Sequence, residues 1–205
     1  MTFKAVCFDL GGVLVKICQD WNQLAAEARA TGQAVVAGGF EKCQEFSDYQ
    51  SGLLSDEAYL AFVARQFGVT PEEARRIHNL ILIEPYQDSL DLVRDIEAAG
   101  LVTGCLSNTN AIHWHEMVFT DRFPAVSRLQ CKTASHLVGA SKPDPAIYRA
   151  FEDATGLSPG EIVNFDDSWA YVEAANTAGW CSTRVDPVSD PVAQMRETLQ
   201  TLGLL

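Results

Sequence analysis

The pattern of hydrophobic and polar positions along this 205-residue chain changes character twice. Residues 3–8, FKAVCF, form a short apolar run that stops abruptly at Asp9-Leu10-Gly11-Gly12. Such a run, without polar alternation, fits a strand buried on both faces. From about residue 20 to residue 84 the period turns helical. WNQLAAEARATG ends at Gly32, a second segment covers about Phe40 to Gln50, and SDEAYLAFVARQFG ends at Gly68. A fourth helix opens on Thr70-Pro71-Glu72-Glu73, a capping box with proline at the first helical position. Four helices and no strand predict a compact all-helical insert. Its exit is expected at Glu84-Pro85, because the residue before a proline is pushed out of helical backbone.

From Asp88 onward strands and helices alternate. Helices are predicted over 89–99, 110–119, 145–154, 169–178 and 191–202, with strands at 101–106, 161–165 and 181–185 and a weaker one at 125–129. Strands separated by single helices imply right-handed crossovers and a parallel sheet covered by helices on both faces. The expected fold class is therefore α/β, with a core built from residues 1–16 and 87–205 and a helical cap from residues 17–86.

Composition narrows the function classes. Fifteen Lys and Arg against twenty-seven Asp and Glu give a formal charge of −12, which repels polyanions and argues against nucleic acid as a partner. No apolar run reaches the ~18 residues of a membrane span. Asp9 interrupts the N-terminal apolar stretch and no small-residue cleavage site follows, so a signal peptide is not expected. Six cysteines without a CxxC pair read as thiols of a reducing compartment, and a cytoplasmic protein is expected. Cys7, two residues before Asp9, reads as a core thiol rather than a redox group.

The chemistry gathers at strand ends. Asp9 follows the first strand, Ser107 the second and Asp166-Asp167 the strand EIVNF, while Lys142 sits in a Ser-Lys-Pro-Asp-Pro turn opening a helix. Ligands of open parallel sheets bind at the carboxyl ends of the strands, so these residues converge on one crevice. FDLGGVLV, LSNTN, SKPDPAIY and NFDDS, in this order, resemble the four motifs of the haloacid dehalogenase-like hydrolase superfamily. The branch they most resemble holds the α-glucose-1-phosphate phosphatases and the N-terminal phosphatase domain of soluble epoxide hydrolases.

The resemblance implies a Rossmann-like core with a small helical cap and a phosphatase acting on a small phosphorylated metabolite. It implies Asp9 as the nucleophile forming an aspartyl-phosphate, and Mg²⁺ held by Asp9, the Gly11 carbonyl and Asp167. Ser107 and the Asn108 backbone would bind the transferring phosphoryl group. Lys142 would neutralise charge, and Asp166 would orient Lys142 or the metal shell. The departure is Gly11 itself, where most phosphatases of the superfamily carry a second Asp as general acid and base. A general acid is worth ~10²–10⁴-fold, so its loss favours esters with acidic leaving groups, sugar 1-phosphates above all. A 2-haloacid dehalogenase, or a non-catalytic relative that has lost its acid, is the alternative.

Other polar residues have plainer readings. His113 and His115 flank Trp114 and do not share a helix face, although either could line the cleft. His78 and His136 read as surface residues, and Gly52 as a turn between cap helices that overhangs the site in related proteins. Trp21, Phe46 and Tyr49 are candidates for cap core or substrate walls.

Overall fold

Strand β1 (Ala5–Phe8) runs through the middle of a five-stranded parallel sheet, and none of its residues is exposed. The computed structural model describes residues 2–18, 20, 24 and 43–205. On one side of β1 lie β4 (Val102–Ser107) and β5 (Cys131–Ala134), on the other β6 (Ile162–Asp166) and β7 (Cys181–Arg184). The order β5-β4-β1-β6-β7 reverses direction at β1, which opens a crevice at the carboxyl ends of β1 and β6. Phe8 pairs with Cys105 on β4 and with Phe165 on β6. That register sets Asp9 level with Asp166 and one residue short of Ser107. The two phenylalanine rings stack with centroids 6.0 Å apart directly behind the crevice.

Helices cover both faces. Val6 and Phe8 meet Leu92, Val93 and Ile96 of helix Ser89–Ala98 and Met195 and Leu199 of helix Pro191–Thr201 in one apolar cluster. Ala5 and Cys7 point the other way, into a cluster with Ile147 and Phe151 of helix Pro145–Thr155 and with Trp180. Alternation along a four-residue strand thus feeds two cores. Both faces are apolar, as an uninterrupted hydrophobic run requires.

The insert between β1 and β4 has an apolar core of its own. Helices α1 (Gln44–Gln50), α2 (Asp56–Phe67) and α3 (Pro71–Asn79) bury Tyr49, Tyr59, Phe62, Phe67 and Ile77 together. Ser55 caps α2 by accepting from the Ala58 N–H, and Gly68 closes it in left-handed backbone at φ 65°. The expected capping box of α3 forms: Thr70 Oγ1 accepts from the Glu73 N–H at 3.2 Å and Glu73 accepts from the Thr70 N–H at 2.9 Å. The helix expected over WNQLAAEARATG, the start of the Phe40 segment and Trp21 lie outside the described residues.

Two expectations need correction. The insert is not strand-free at its root, because β2 (Val15–Ile17) and β3 (Leu82–Pro85) form an antiparallel ribbon where the chain leaves and re-enters the core. Glu84-Pro85 is part of that ribbon, paired with Lys16 and Val15, rather than a free hinge. Neither VKI nor LIEP carries an apolar run or an alternation long enough to stand out beside the helical pattern. The strand expected at 125–129 is a helix, Pro124–Arg128, and the sheet strand follows it at Cys131–Ala134. Pro124 at the first helical position starts the turn, and Ala125, Val126 and Leu129 fall on one buried helical face.

Gly104, in the middle of β4, leaves room for helix Pro145–Thr155 to pack close against the sheet. A Cβ there would lie 2.6 Å from Phe151 Cε2 and 2.8 Å from the Cys131 carbonyl oxygen, which is backbone and cannot swing aside. Gly104→Ala is therefore expected to cost about 1–3 kcal/mol through overpacking. Thermal and urea unfolding of the variant against wild type measure it, and an unchanged midpoint would show that helix Pro145–Thr155 sits more loosely on the sheet.

Candidate active site

The backbone N–H of Asp9 donates to the Phe165 carbonyl, prolonging the β1–β6 ladder by one step, and the Leu10 N–H donates to Asp9 Oδ1 at 2.7 Å. The side chain is thereby aimed out of the sheet edge. Its Oδ2 lies 3.2 Å from the Lys142 ammonium, which is 2.5 Å from Asp166 Oδ2 on its other side. Lys142 arrives from the turn before helix Pro145–Thr155, and Asn108 holds that turn. Asn108 Oδ1 accepts from the Lys142 N–H at 2.7 Å, and its Nδ2 donates to the Lys142 carbonyl at 2.9 Å. The Tyr171 ring lies 4.9 Å beneath the ammonium and completes the enclosure.

Asp166 has both oxygens occupied, one by Lys142 and the other by the Ser168 N–H at 2.9 Å. Asp167 is turned towards the loop after β1. Its Oδ2 lies 2.5 Å from where a Cβ on Gly12 would sit, so Gly12, at φ 76°, leaves room for a carboxylate rather than for a side chain. Asp9, Asp166 and Asp167 each offer one oxygen, all within 4.8 Å of one another. Ser107, at the end of β4, is buried and lines a cleft together with Gly11 and Asn108. The cleft measures about 490 Å³, mouth included. The structure thus brings the seven expected site residues to one edge of the sheet.

The family model for haloacid dehalogenase-like hydrolases matches residues 3–179. The chain belongs to this family. A Mycobacterium tuberculosis protein named as a phosphatase is 26% identical, over 100% of this chain and 97% of its own length. The N-acetylmuramic acid 6-phosphate phosphatase of Pseudomonas aeruginosa is 26% identical over 87% of this chain and 80% of its own. Among solved structures, a family enzyme from Bacteroides thetaiotaomicron, crystallised as a magnesium complex, superposes with a TM-score of 0.81. It is 21% identical, and the match covers 93% of this chain and 96% of that one.

In this haloacid dehalogenase-like hydrolase the charges at the sheet edge do not balance. Burial alone would lower the Lys142 pKa, but Asp9 and Asp166 outweigh it and hold the ammonium above its ordinary value. Asp167 is pushed up to about 6, first by burial and then by Asp9. Asp166 moves up for the same two reasons, with Lys142 opposing. Three carboxylates against one ammonium make an oxygen-only donor set with excess negative charge, buried at Asp9 and Asp166 and half-buried at Asp167. Such a set fits a hard divalent cation. The Cys7 thiol, fully buried, is raised well above its usual value, as suits an inert core thiol.

The histidines depart furthest from expectation. His78 is not a surface residue; it is fully buried, and its ring stacks on that of His113 with centroids 3.9 Å apart and planes within 9°. His78 belongs to α3 of the insert and His113 to the helix that follows Ser107, Ala111–Phe119. His113 Nε2 lies 2.9 Å from the His78 carbonyl and must donate to it, which leaves Nδ1 to accept from Asn110 Nδ2 at 3.3 Å. Asn110 Oδ1 then takes the His78 Nε2–H at 3.1 Å, and His78 Nδ1 accepts from the Tyr59 hydroxyl at 3.3 Å. Every bond closes with both rings neutral. A sequence signal for His78 did exist, since it follows Ile77 and lies four residues after Ala74 on the apolar face of α3. His115 is exposed and takes no part, as the i,i+2 argument expected, and His136 is half-buried under Trp114.

A second stitch joins insert to core. Ser135 Oγ accepts from the Thr109 N–H at 2.9 Å and lies 2.6 Å from the Gln50 carbonyl at the end of α1. The Gly52 turn presses against the His136 carbonyl, where a Cβ would come within 2.4 Å. Tyr49 and Phe46 divide the two roles left open for them: Tyr49 is buried against Tyr59, while Phe46 lines the cleft.

Burial first, then His113, pushes the His78 pKa well below the ordinary imidazole value, and burial with Arg122 pushes His113 down to about 4. The unfolded chain would therefore bind protons that the folded chain refuses. Stability from the neutral pair is complete above about pH 6.5 and is lost as pH falls towards 4. His113→Gln is expected to be less stable than wild type at pH 7, with the gap narrowing by about 1–2 kcal/mol at pH 5. Urea unfolding of both proteins across this range decides it, and a gap independent of pH would mean that the pair is not held neutral.

Proposed function

We propose that the chain is a Mg²⁺-dependent phosphatase that hydrolyses a small phosphate monoester through an aspartyl-phosphate on Asp9. The observation that carries this reading is the buried Lys142 ammonium, 3.2 Å from the Asp9 carboxylate at the reversal point of the sheet, with Asp167 beside it. The phosphatase names of the M. tuberculosis and P. aeruginosa relatives agree with it. A carboxylate is a known covalent nucleophile, and phosphoryl transfer gains its rate chiefly from positioning and charge stabilisation.

An Asp9 oxygen attacks phosphorus and the alcohol oxygen leaves; water then splits the acyl phosphate, releasing inorganic phosphate and restoring the carboxylate. Lys142 offsets the charge that accumulates between Asp9 and the arriving phosphoryl group. The Ser107 hydroxyl and the Asn108 N–H bind its oxygens, while the Asn108 side chain keeps the Lys142 turn in register. Asp9, the Gly11 carbonyl and Asp167 would hold Mg²⁺, which supplies further positive charge to the phosphoryl oxygens when bound. Asp166, with both oxygens engaged, acts through Lys142 instead. The core of residues 1–16 and 87–205 would supply this chemistry, and the cap of residues 17–86 would cover it.

Gly11 offers no proton to the departing oxygen. Esters whose leaving oxygen is intrinsically stable are favoured, a condition that anomeric sugar phosphates and aryl phosphates both meet. The dehalogenase alternative also uses an aspartate nucleophile, but it has no use for the acidic cluster of Asp166 and Asp167.

Asp9→Asn is expected to abolish phosphate release from p-nitrophenyl phosphate, while wild type with beryllium fluoride and Mg²⁺ forms an adduct on Asp9. Turnover by scrupulously purified Asp9→Asn would rule the covalent route out. Asp167→Ala is expected to raise the Mg²⁺ concentration needed for half-maximal activity by more than tenfold, at about 1.4 kcal/mol per tenfold, and by more than Asp166→Ala does. Titrations showing the reverse order would exchange the two roles.

A further inference from the structure

Leaving-group acidity admits both anomeric sugar phosphates and aryl phosphates, and the walls of the cleft discriminate further. Gly11 carries no side chain, and the space beside it is filled by Ile17: a Cβ on Gly11 would lie 3.0 Å from Ile17 Cδ1. Phe46, Ile81, Leu82 and Met117 line the same cleft. Among the described lining residues none carries a charge with His113 neutral, so these residues offer no cation to a substrate carboxylate or second phosphate.

Of the five polar side chains in the described lining, Ser107 is assigned to the phosphoryl group, Asn108 and His113 are engaged elsewhere, and Gln50 and Thr109 are the remaining two. Both ends of the Asn108 amide hold the Lys142 peptide, and both His113 nitrogens are engaged with His78 and Asn110. A polyol would lose water against the aliphatic side chains with only Gln50 and Thr109 to offer hydrogen bonds in exchange, a net loss for every hydroxyl left unpaired. Hydrocarbon in the same position gains from burial.

Resting on the phosphatase reading above, we infer that the cleft selects phosphate monoesters of apolar alcohols and phenols. Their ester oxygen lies towards Gly11 and their hydrocarbon against Ile17, Ile81, Leu82 and Met117. The absent acid and the apolar wall are then two sides of one feature, since Ile17 occupies ground that a carboxylate at position 11 would need.

The test compares kcat/KM, with Mg²⁺, for four esters of primary alcohols. Benzyl and geranyl phosphate are set against glycerol phosphate and a hexose phosphate esterified at its primary hydroxyl, which keeps leaving-group acidity broadly matched. Acetyl phosphate, whose leaving group is too small to span the wall, reports the basic reaction. Benzyl and geranyl phosphate are expected to exceed both polyol esters by about tenfold or more, and Ile81→Thr and Met117→Gln each to shrink that ratio severalfold. Equal efficiencies, or a preference for the polyols, with acetyl phosphate still hydrolysed, would overturn the inference and leave the phosphatase reading standing. No turnover of any of the four esters or of acetyl phosphate would overturn both. The wild-type series decides the matter even if a variant fails to fold.

Discussion

A positive charge buried between two carboxylates governs the architecture of this hydrolase. Taking the Lys142 ammonium out of water is costly, and an ion group of this kind survives only with good geometry and full hydrogen bonding. Asp9 and Asp166 supply the counter-charge only because β1 and β6 are neighbours in register, so that both acids emerge at the same level. The Lys142 backbone arrives correctly only because Asn108, at the end of β4, grips its peptide from both sides. Three strand ends and one helix-opening turn are thus mutually determined, while Asp167 is turned to the loop at Gly12.

What could be read from the chain follows the range of the forces involved. FKAVCF declared itself a central strand because burial on both faces erases polar alternation, and the capping box at Thr70 is a local matter of four residues. The convergence of Asp9, Ser107 and the Asp166-Asp167 pair was legible because each follows a strand of one sheet, and that of Lys142 because its Ser-Lys-Pro-Asp-Pro turn opens a helix. PAVSR misled because five residues with three apolar positions satisfy a strand and a helical turn equally well, and only packing chooses. The ribbon of Val15–Ile17 with Leu82–Pro85 joins segments some 65 residues apart, which no local pattern encodes.

The histidine pair was hidden for another reason. A histidine is polar by composition, and nothing in its neighbours tells a solvated ring from one closed into a network. Here Tyr59, Asn110 and the stacked partner rings satisfy His78 and His113 without any charge. A buried polar network of this kind, fully satisfied, fixes one arrangement of two packed surfaces where oily contacts alone would tolerate several.

The short stretch Asn108-Thr109-Asn110 follows directly on Ser107, and its three residues have three different masters. Asn108 answers to the Lys142 turn, Thr109 to Ser135 and the end of α1, and Asn110 to His78 of α3. The end of β4 and the inserted helices are geared through three consecutive peptides. A tilt of α3 draws on Asn110, three positions from Ser107, and a shift of the Lys142 turn draws on the same stretch from its other end. A displacement of the inserted helices is therefore felt directly beside Ser107, through three peptides of backbone.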